Sequence, residues 1–150
     1  MHGNGERKIM MNRFIAYNMP KIELHCHLDG SMSVELTKKL LADMGEEYTK
    51  EELQEALTAP MDCPSLADYL KRFDLPLRCL QTKNGLRAAA EELALRAAKE
   101  QVKYLEVRFA PSFSMQQGLS VKEIIESVNE GLKSAEAKRD IHTGILVCAM

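Results

Sequence analysis

Apolar, strand-like segments alternate with helical segments along this chain, and that order constrains its fold more than any other feature. The strand-like segments occupy residues 22–28, 102–109 and 143–149, and the third is an almost continuous apolar run. A run of that kind is typical of a strand that is covered on both faces. Strands that alternate with helices indicate βα units around a parallel sheet. We therefore predict an α/β fold.

The helical segments begin at residues that cap helices well. Thr49-x-x-Glu52 and Ser120-x-x-Glu123 are capping boxes, in which the first side chain and the fourth satisfy each other's backbone N–H groups. Ser33, Ser65 and Asn84 are the other predicted caps. The predicted helices cover residues 34–44, 50–57, 66–73, 85–101 and 121–138.

The composition is that of an ordinary soluble globular protein. The 150 residues are 45% hydrophobic and 28% charged, and the net charge is −2 without a block of like charges. Nucleic acid and anionic membranes are therefore poor candidate partners. No run approaches the roughly 18 apolar residues of a membrane-spanning helix, and the N-terminus lacks the apolar core of a signal peptide.

The four cysteines are widely and irregularly spaced, without a C-x-x-C pair. This spacing predicts free, buried thiols rather than disulfides. Free thiols are in turn typical of a cytoplasmic protein.

Two histidines stand at the end of the first strand, in the segment PKIELHCHLDG of residues 20–30. Because side chains alternate along a strand, His25 and His27 should project to one side and Cys26 to the other, toward the covering helices. Asp29 and Gly30 then form a turn into the next helix. Active sites of (β/α)₈ barrels are built at this end of the strands. Two imidazoles side by side at a strand end can bind one metal ion.

The whole segment resembles the first strand of the adenosine deaminase family, whose pattern is approximately P-K-x-E-L-H-x-H-L-D-G. The resemblance implies that His25 and His27 bind a catalytic Zn²⁺, that His27 also lies against the nucleoside, and that Asp29 holds the ribose end. Relatives that deaminate free adenine tend to carry Glu in place of Asp29. The sequence therefore favours a nucleoside substrate, with an adenine deaminase-like activity as an alternative.

A long connection with helices of its own follows the first strand, from residue 44 to residue 82. Its segment SLADYLKRFD resembles the part of the family whose apolar side chains wall the purine site. Leu66, Tyr69, Leu70 and Phe73 have i, i+3, i+4, i+7 spacing and would share one helix face. An ordinary amphipathic helix packed on the core has the same spacing. We predict that these four residues contact the nucleoside.

Glu106 and Arg108 in the second strand also match the family pattern. Both should face the interior of a barrel, where charged groups must pair or meet water. We predict a structural ion-pair network for them rather than a catalytic role. His142, at the amino end of the third strand, should be structural or exposed.

The resemblance covers residues 19–150 and implies the N-terminal part of a (β/α)₈ TIM barrel, with about three βα units and a helical insertion after strand 1. Residues 1–18 are predicted to be an N-terminal extension, poorly ordered over residues 1–12. Eight βα units typically need about 250 residues. In the family, the remaining zinc ligands and the general acid and base come from later strands. No catalytic acid or base is therefore assigned within this chain.

The resemblance implies a parent enzyme that hydrolyses adenosine and 2'-deoxyadenosine to inosine and ammonia in purine salvage, with one Zn²⁺ per complete site. That enzyme is expected to be monomeric. The 150-residue chain alone is expected to be marginally stable, prone to self-association and inactive. The alternatives are a non-catalytic nucleoside-binding or assembly fragment, and another member of the wider metal-dependent hydrolase group.

Overall fold

The structure, a computed structural model, describes residues 12–149. His2 and most of the predicted extension therefore lie outside the described residues. The elements follow one another as α1 (Arg13–Asn18), β1 (Lys21–His27), α2 (Val34–Asp43), α3 (Lys50–Leu57), α4 (Leu66–Leu70), α5 (Asp74–Cys79), α6 (Lys83–Lys99), β2 (Val102–Phe109), α7 (Val121–Lys138) and β3 (His142–Val147). All three predicted strands are present within two residues of their predicted bounds.

The three strands form one parallel sheet in the order β1-β2-β3. On β2, Leu105, Val107 and Phe109 are buried, and the residues between them are only partly buried. The buried face packs against α6 and α7, whose inward residues complete the main core. The opposite face of the sheet includes Tyr104, Glu106 and Arg108 and would face the interior of the predicted barrel, so we call it the concave side. His142 is exposed at the start of β3, as predicted.

Helix starts follow the capping chemistry of the sequence, with one correction. Both predicted capping boxes are formed, at the starts of α3 and α7. The predicted cap of α6 at Asn84 is wrong, because Thr82 accepts the hydrogen bond from the Gly85 N–H. Thr82 has the extended backbone that a cap needs, whereas Asn84 already lies within the first helical turn.

The predicted helix of residues 66–73 is in fact broken. The α-helix stops at Leu70, a 3₁₀ turn covers Lys71–Phe73, and α5 then begins at Asp74. Pro76 explains the break, since a proline inside a continuous α-helix lacks an N–H and clashes with the carbonyl four residues earlier. Placing Pro76 in the first turn of a new helix avoids this clash.

All four cysteines are free thiols, but only Cys79 is fully buried. The expectation of buried thiols is therefore wrong for Cys26, Cys63 and Cys148, which are half-buried: Cys26 is on the outer strand β1, and the other two lie outside the helices and strands. Burial raises the pKa of the Cys79 thiol to about 11. Within residues 12–149, no helix is both long enough and apolar enough to cross a membrane.

Candidate active site

A break in the ladder of β1 determines which way its side chains face. Glu23 pairs with Leu105 and Cys26 pairs with Val107, so that three steps along β1 match two steps along β2. This is the extra residue of a β-bulge. Ladder partners in a parallel sheet face the same side, so Glu23 and Cys26 both face the covering helices. His27 pairs with Arg108 and faces the concave side.

The two histidines meet on that concave side. Their Nε2 atoms are 3.3 Å apart, and their ring centroids are separated by 5.3 Å. Cys26 faces away from them as predicted, packing on the main core with its Sγ 3.3 Å from the Ser31 Oγ.

The separation of the two nitrogens fits a shared metal ion. Nitrogen ligands lie about 2.0–2.1 Å from Zn²⁺, so two of them at tetrahedral angles are about 3.3–3.4 Å apart. Among residues 12–149 there is no cluster of three or more His, Cys, Asp or Glu side chains that could hold a metal. Among the described residues, His25 and His27 could therefore provide two of the four ligands of a tetrahedral ion.

Asp29 lies next to this pair at the carboxyl end of β1. Its Oδ1 accepts a hydrogen bond from the Gly30 N–H at 2.9 Å and lies 4.0 Å from the His27 Nδ1. The second distance is too long for a hydrogen bond. The carboxylate is mostly buried, with its side chain 16% exposed, and it lines a pocket on each side.

The larger pocket, of about 680 Å³, opens directly over the two histidines. Its size lies within the range typical of small-molecule sites, and its wall is mostly apolar. The lining residues are His25, Cys26, His27, Asp29, Gly30, Ser31, Tyr69, Leu70, Phe73, Leu77 and Phe113.

Three of the four predicted wall residues reach this pocket. Tyr69, Leu70 and Phe73 line it, and the Tyr69 and Phe73 rings meet edge to face with centroids 5.7 Å apart. Leu66 does not line it and is 72% exposed. Leu66 is the first residue of α4, almost a full turn before Tyr69 and Leu70, and the pocket does not extend to that end of the helix.

Two wall residues were not predicted from the sequence. Leu77 continues the apolar spacing at four residues after Phe73 and could have been found by extending that pattern. Phe113 follows the carboxyl end of β2, where barrel enzymes build their sites, so its position in the chain was a signal.

Gly30 allows Phe73 to approach the histidines closely. A Cβ at Gly30 would lie 3.2 Å from the Phe73 Cε1 and 3.8 Å from the His27 Cβ. The absence of a side chain at Gly30 therefore contributes to the shape of the pocket.

The predicted ion-pair network of Glu106 and Arg108 is not formed among the described residues. Glu106 instead accepts a hydrogen bond from the Tyr104 hydroxyl at 3.1 Å, and the Nε of Arg108 is buried without a partner there. Tyr104 lies on the same face two residues before Glu106, and its hydroxyl takes the carboxylate contact that the prediction gave to Arg108. The hydrogen bond to Glu106 raises the pKa of Tyr104.

Comparison with known proteins assigns the sequence to a family. A sequence model described as "Adenosine deaminase" matches residues 20–150, which is nearly the whole chain. The chain belongs to the adenosine deaminase family. The adenosine deaminase of Clostridium perfringens is 44% identical over 136 residues, which cover 89% of this chain and 41% of that protein. The chain thus spans about two fifths of the length of the curated relatives that it matches, and it corresponds to their N-terminal portion.

Solved structures show the same fold. A zinc-bound amidohydrolase from Burkholderia ambifaria superimposes with a TM-score of 0.74 at 17% identity, over 95% of this chain and 40% of that chain. An adenine deaminase from Arthrobacter aurescens superimposes with a TM-score of 0.73 at 24% identity, over 85% of this chain and 39% of that chain. The predicted fold class, the N-terminal part of a (β/α)₈ barrel, is confirmed, and the chain resembles the N-terminal portion of deaminase-type hydrolases.

Proposed function

We propose that this chain supplies the nucleoside pocket and two zinc ligands of an enzyme that hydrolyses adenosine and 2'-deoxyadenosine to inosine and ammonia in purine salvage. The observation that carries the proposal is the pair of Nε2 atoms 3.3 Å apart at the floor of an apolar pocket beside a carboxylate. The four free thiols support a cytoplasmic setting.

His25 and His27 would hold the metal through their Nε2 atoms, as neutral imidazoles. A Zn²⁺ ion held by these residues would lower the pKa of a bound water enough to supply hydroxide near neutral pH for attack on the purine C6. The bulge in β1 directs both rings to the concave side, where that water and the purine would meet.

The pocket wall would bind the purine and the ribose separately. Tyr69, Phe73 and Phe113 offer aromatic surface, which removes the flat base from water and excludes bulk solvent from the histidines. Asp29 can accept hydrogen bonds from ribose hydroxyls through the carboxylate oxygens that its contact with Gly30 leaves free. This carboxylate accounts for a preference for nucleosides over free bases.

We further propose that residues 19–150 are an incomplete barrel domain preceded by an extension of residues 1–18. Among the pocket-lining residues of the described range 12–149, Asp29 is the only one with a carboxyl group, and it faces the ribose end in this proposal. The proton donor to the purine ring and the other zinc ligands would then come from strands beyond β3. We therefore expect the 150-residue chain alone to be inactive. For the complete enzyme we propose a monomer.

Zinc and nucleoside titrations followed by NMR test this proposal. Added Zn²⁺ should shift the imidazole signals of His25 and His27, and a His27→Ala variant should lose that response. A His142→Ala variant is the matched control, since His142 is an exposed histidine at the opposite end of the sheet. Failure of Zn²⁺ to perturb either histidine would contradict the metal assignment.

Substrate class is tested with the same protein. Adenosine should bind more tightly than adenine, and Asp29→Asn should reduce that difference because an amide lacks the second acceptor oxygen. Equal binding of adenine would favour the adenine deaminase-like alternative. Binding of zinc and adenosine should occur without turnover, and deamination at an ordinary enzymatic rate by the purified chain would contradict the expected inactivity.

A further inference from the structure

The orientation of His25 depends on the bulge in β1, because the strand changes its facing side there. Glu23 and His27 are four residues apart, so regular alternation would place them on the same face. Their ladder partners are Leu105 and Arg108, which lie on opposite faces of β2. The extra residue between Glu23 and Cys26 reverses the alternation and brings the histidines to the concave face.

One side chain contacts the backbone inside this bulge. The Glu23 Oε1 accepts a hydrogen bond from the backbone N–H of His25 at 2.8 Å. Within residues 12–149 this is the only hydrogen bond made by the Glu23 carboxylate, and no ion pair competes for it. A carboxylate that accepts from a backbone N–H makes one of the stronger hydrogen bonds in proteins.

The neighbours of Glu23 place its side chain on the face of β1 that is opposite to the histidine rings. It lines a small cavity between β1 and α6 together with Cys26 and Arg96, on the face away from the histidine rings. Arg96 donates to the Ser31 backbone carbonyl across this cavity. Glu23 therefore contacts the backbone that carries His25 and lies on the opposite side of the strand from the pocket.

We infer that Glu23 is a positioning residue: its carboxylate fixes the bulge at His25 and thereby holds the two Nε2 atoms at the spacing that a shared metal ion needs. The inference rests on the proposed function, since it assigns a purpose to the spacing of the two histidines. Residues that orient metal ligands without touching the metal typically change metal affinity by roughly 10–100-fold when they are replaced.

The test compares Glu23→Met with Glu23→Gln in the full chain. The two side chains are similar in length, but only Gln keeps a strong acceptor oxygen for the His25 N–H. Zinc affinity is measured from the imidazole NMR signals, and hydrogen exchange is measured at the His25 amide. Glu23→Met should weaken zinc binding roughly 10–100-fold and accelerate exchange at His25, whereas Glu23→Gln should retain most of both properties. Glu130→Ala, which removes an exposed carboxylate on α7, should change neither.

Two results would overturn the inference. One is a Glu23→Met variant with wild-type zinc affinity and wild-type exchange at His25. The other is a Glu23→Gln variant as impaired as Glu23→Met, which would assign the effect to the negative charge instead of the acceptor oxygen. If the wild-type chain binds no zinc, the proposed function fails, but exchange at His25 still decides the role of Glu23. Circular dichroism identifies a misfolded Met variant, and Glu23→Ala then replaces it.

Discussion

At the scale of single residues, the site depends on two small residues, one that leaves space in the pocket wall and one that accepts hydrogen bonds. Gly30 provides space for Phe73, and Asp29 provides acceptor oxygens beside the histidines. Away from the site, Glu123 both caps α7 and pairs with Lys83. The first and last of these features lead to predictions about binding and stability.

Gly30→Ala should weaken nucleoside binding. The new methyl group would lie 3.2 Å from the Phe73 ring, which must shift by a few tenths of an ångström within the pocket wall. Overpacking of this size costs about 1 kcal/mol, which corresponds to about fivefold weaker adenosine binding by calorimetry. The double variant with Phe73→Leu should remove the added steric penalty of the methyl group. Unchanged affinity in Gly30→Ala would show that Phe73 does not shape the site.

Glu123 should make stability depend on acid pH. Its hydrogen bonds with Lys83 and with the Ser120 backbone and hydroxyl lower the pKa of the Glu123 carboxyl from 4.5 to about 2. A lowered pKa in the folded state adds stability that is present above 4.5 and is lost as the pH falls toward 2.

A Glu123→Gln variant measures this contribution. Gln can still accept from Ser120, so the variant removes the charge and keeps the cap. In urea unfolding at neutral pH, the wild-type chain should have a higher free energy of unfolding than Glu123→Gln. This difference should shrink as the pH falls from 4.5 toward 2. Because the pair is exposed, added salt should also reduce it. A difference that is independent of pH would contradict the assignment.

At the scale of elements, the close packing of α6 on α7 holds the outer layer against the sheet. Gly131 lies where the helices approach, and a Cβ there would be 2.2 Å from the Arg87 backbone carbonyl oxygen. A backbone atom cannot rotate away as a flexible side chain can, so the helices themselves would have to separate.

Gly131→Ala should therefore destabilise the fold although alanine is the better helix former. Overpacking typically costs about 1–3 kcal/mol, against an intrinsic gain of up to about 1 kcal/mol for replacing glycine within a helix. Asn129→Ala, at an exposed position of the same helix, is the control and should be neutral or slightly stabilising. Thermal unfolding of both variants checks this, and a stabilised Gly131→Ala protein would contradict it.

At the scale of the whole molecule, the sheet has helices on one face and a largely open concave face. Ile22 is 68% exposed, and its ladder partner Tyr104 lies on that open face. Leu24, on the same outer strand, is also more than half exposed. Exposed apolar strands at sheet edges are typical sites of association between chains.

We predict concentration-dependent self-association of the 150-residue chain through this face. Sedimentation velocity should show larger species at higher concentration, and Ile22→Lys should reduce them because a charge on the concave face resists burial. Met61→Lys, at a fully exposed position in the insertion, should leave association unchanged. A wild-type chain that is monomeric at all accessible concentrations would contradict the prediction.

The features that the sequence determined by itself are those that depend on neighbours along the chain. Short apolar segments located the three strands, capping boxes located α3 and α7, and PKIELHCHLDG identified the histidine pair and the family. The capping contacts lie within three residues, and the strands and the histidine pair are recognised from the order of residues within one segment, so local spacing is sufficient to predict them.

The tertiary structure decided what depends on contacts between distant parts of the chain. Pairing with β2 set the bulge that turns His25 and His27 to the concave face, and packing around the pocket admitted Leu77 and Phe113 and left Leu66 outside. These outcomes depend on ladder register, helix breaks and steric fit among distant segments. The spacing of residues within one segment does not contain that information.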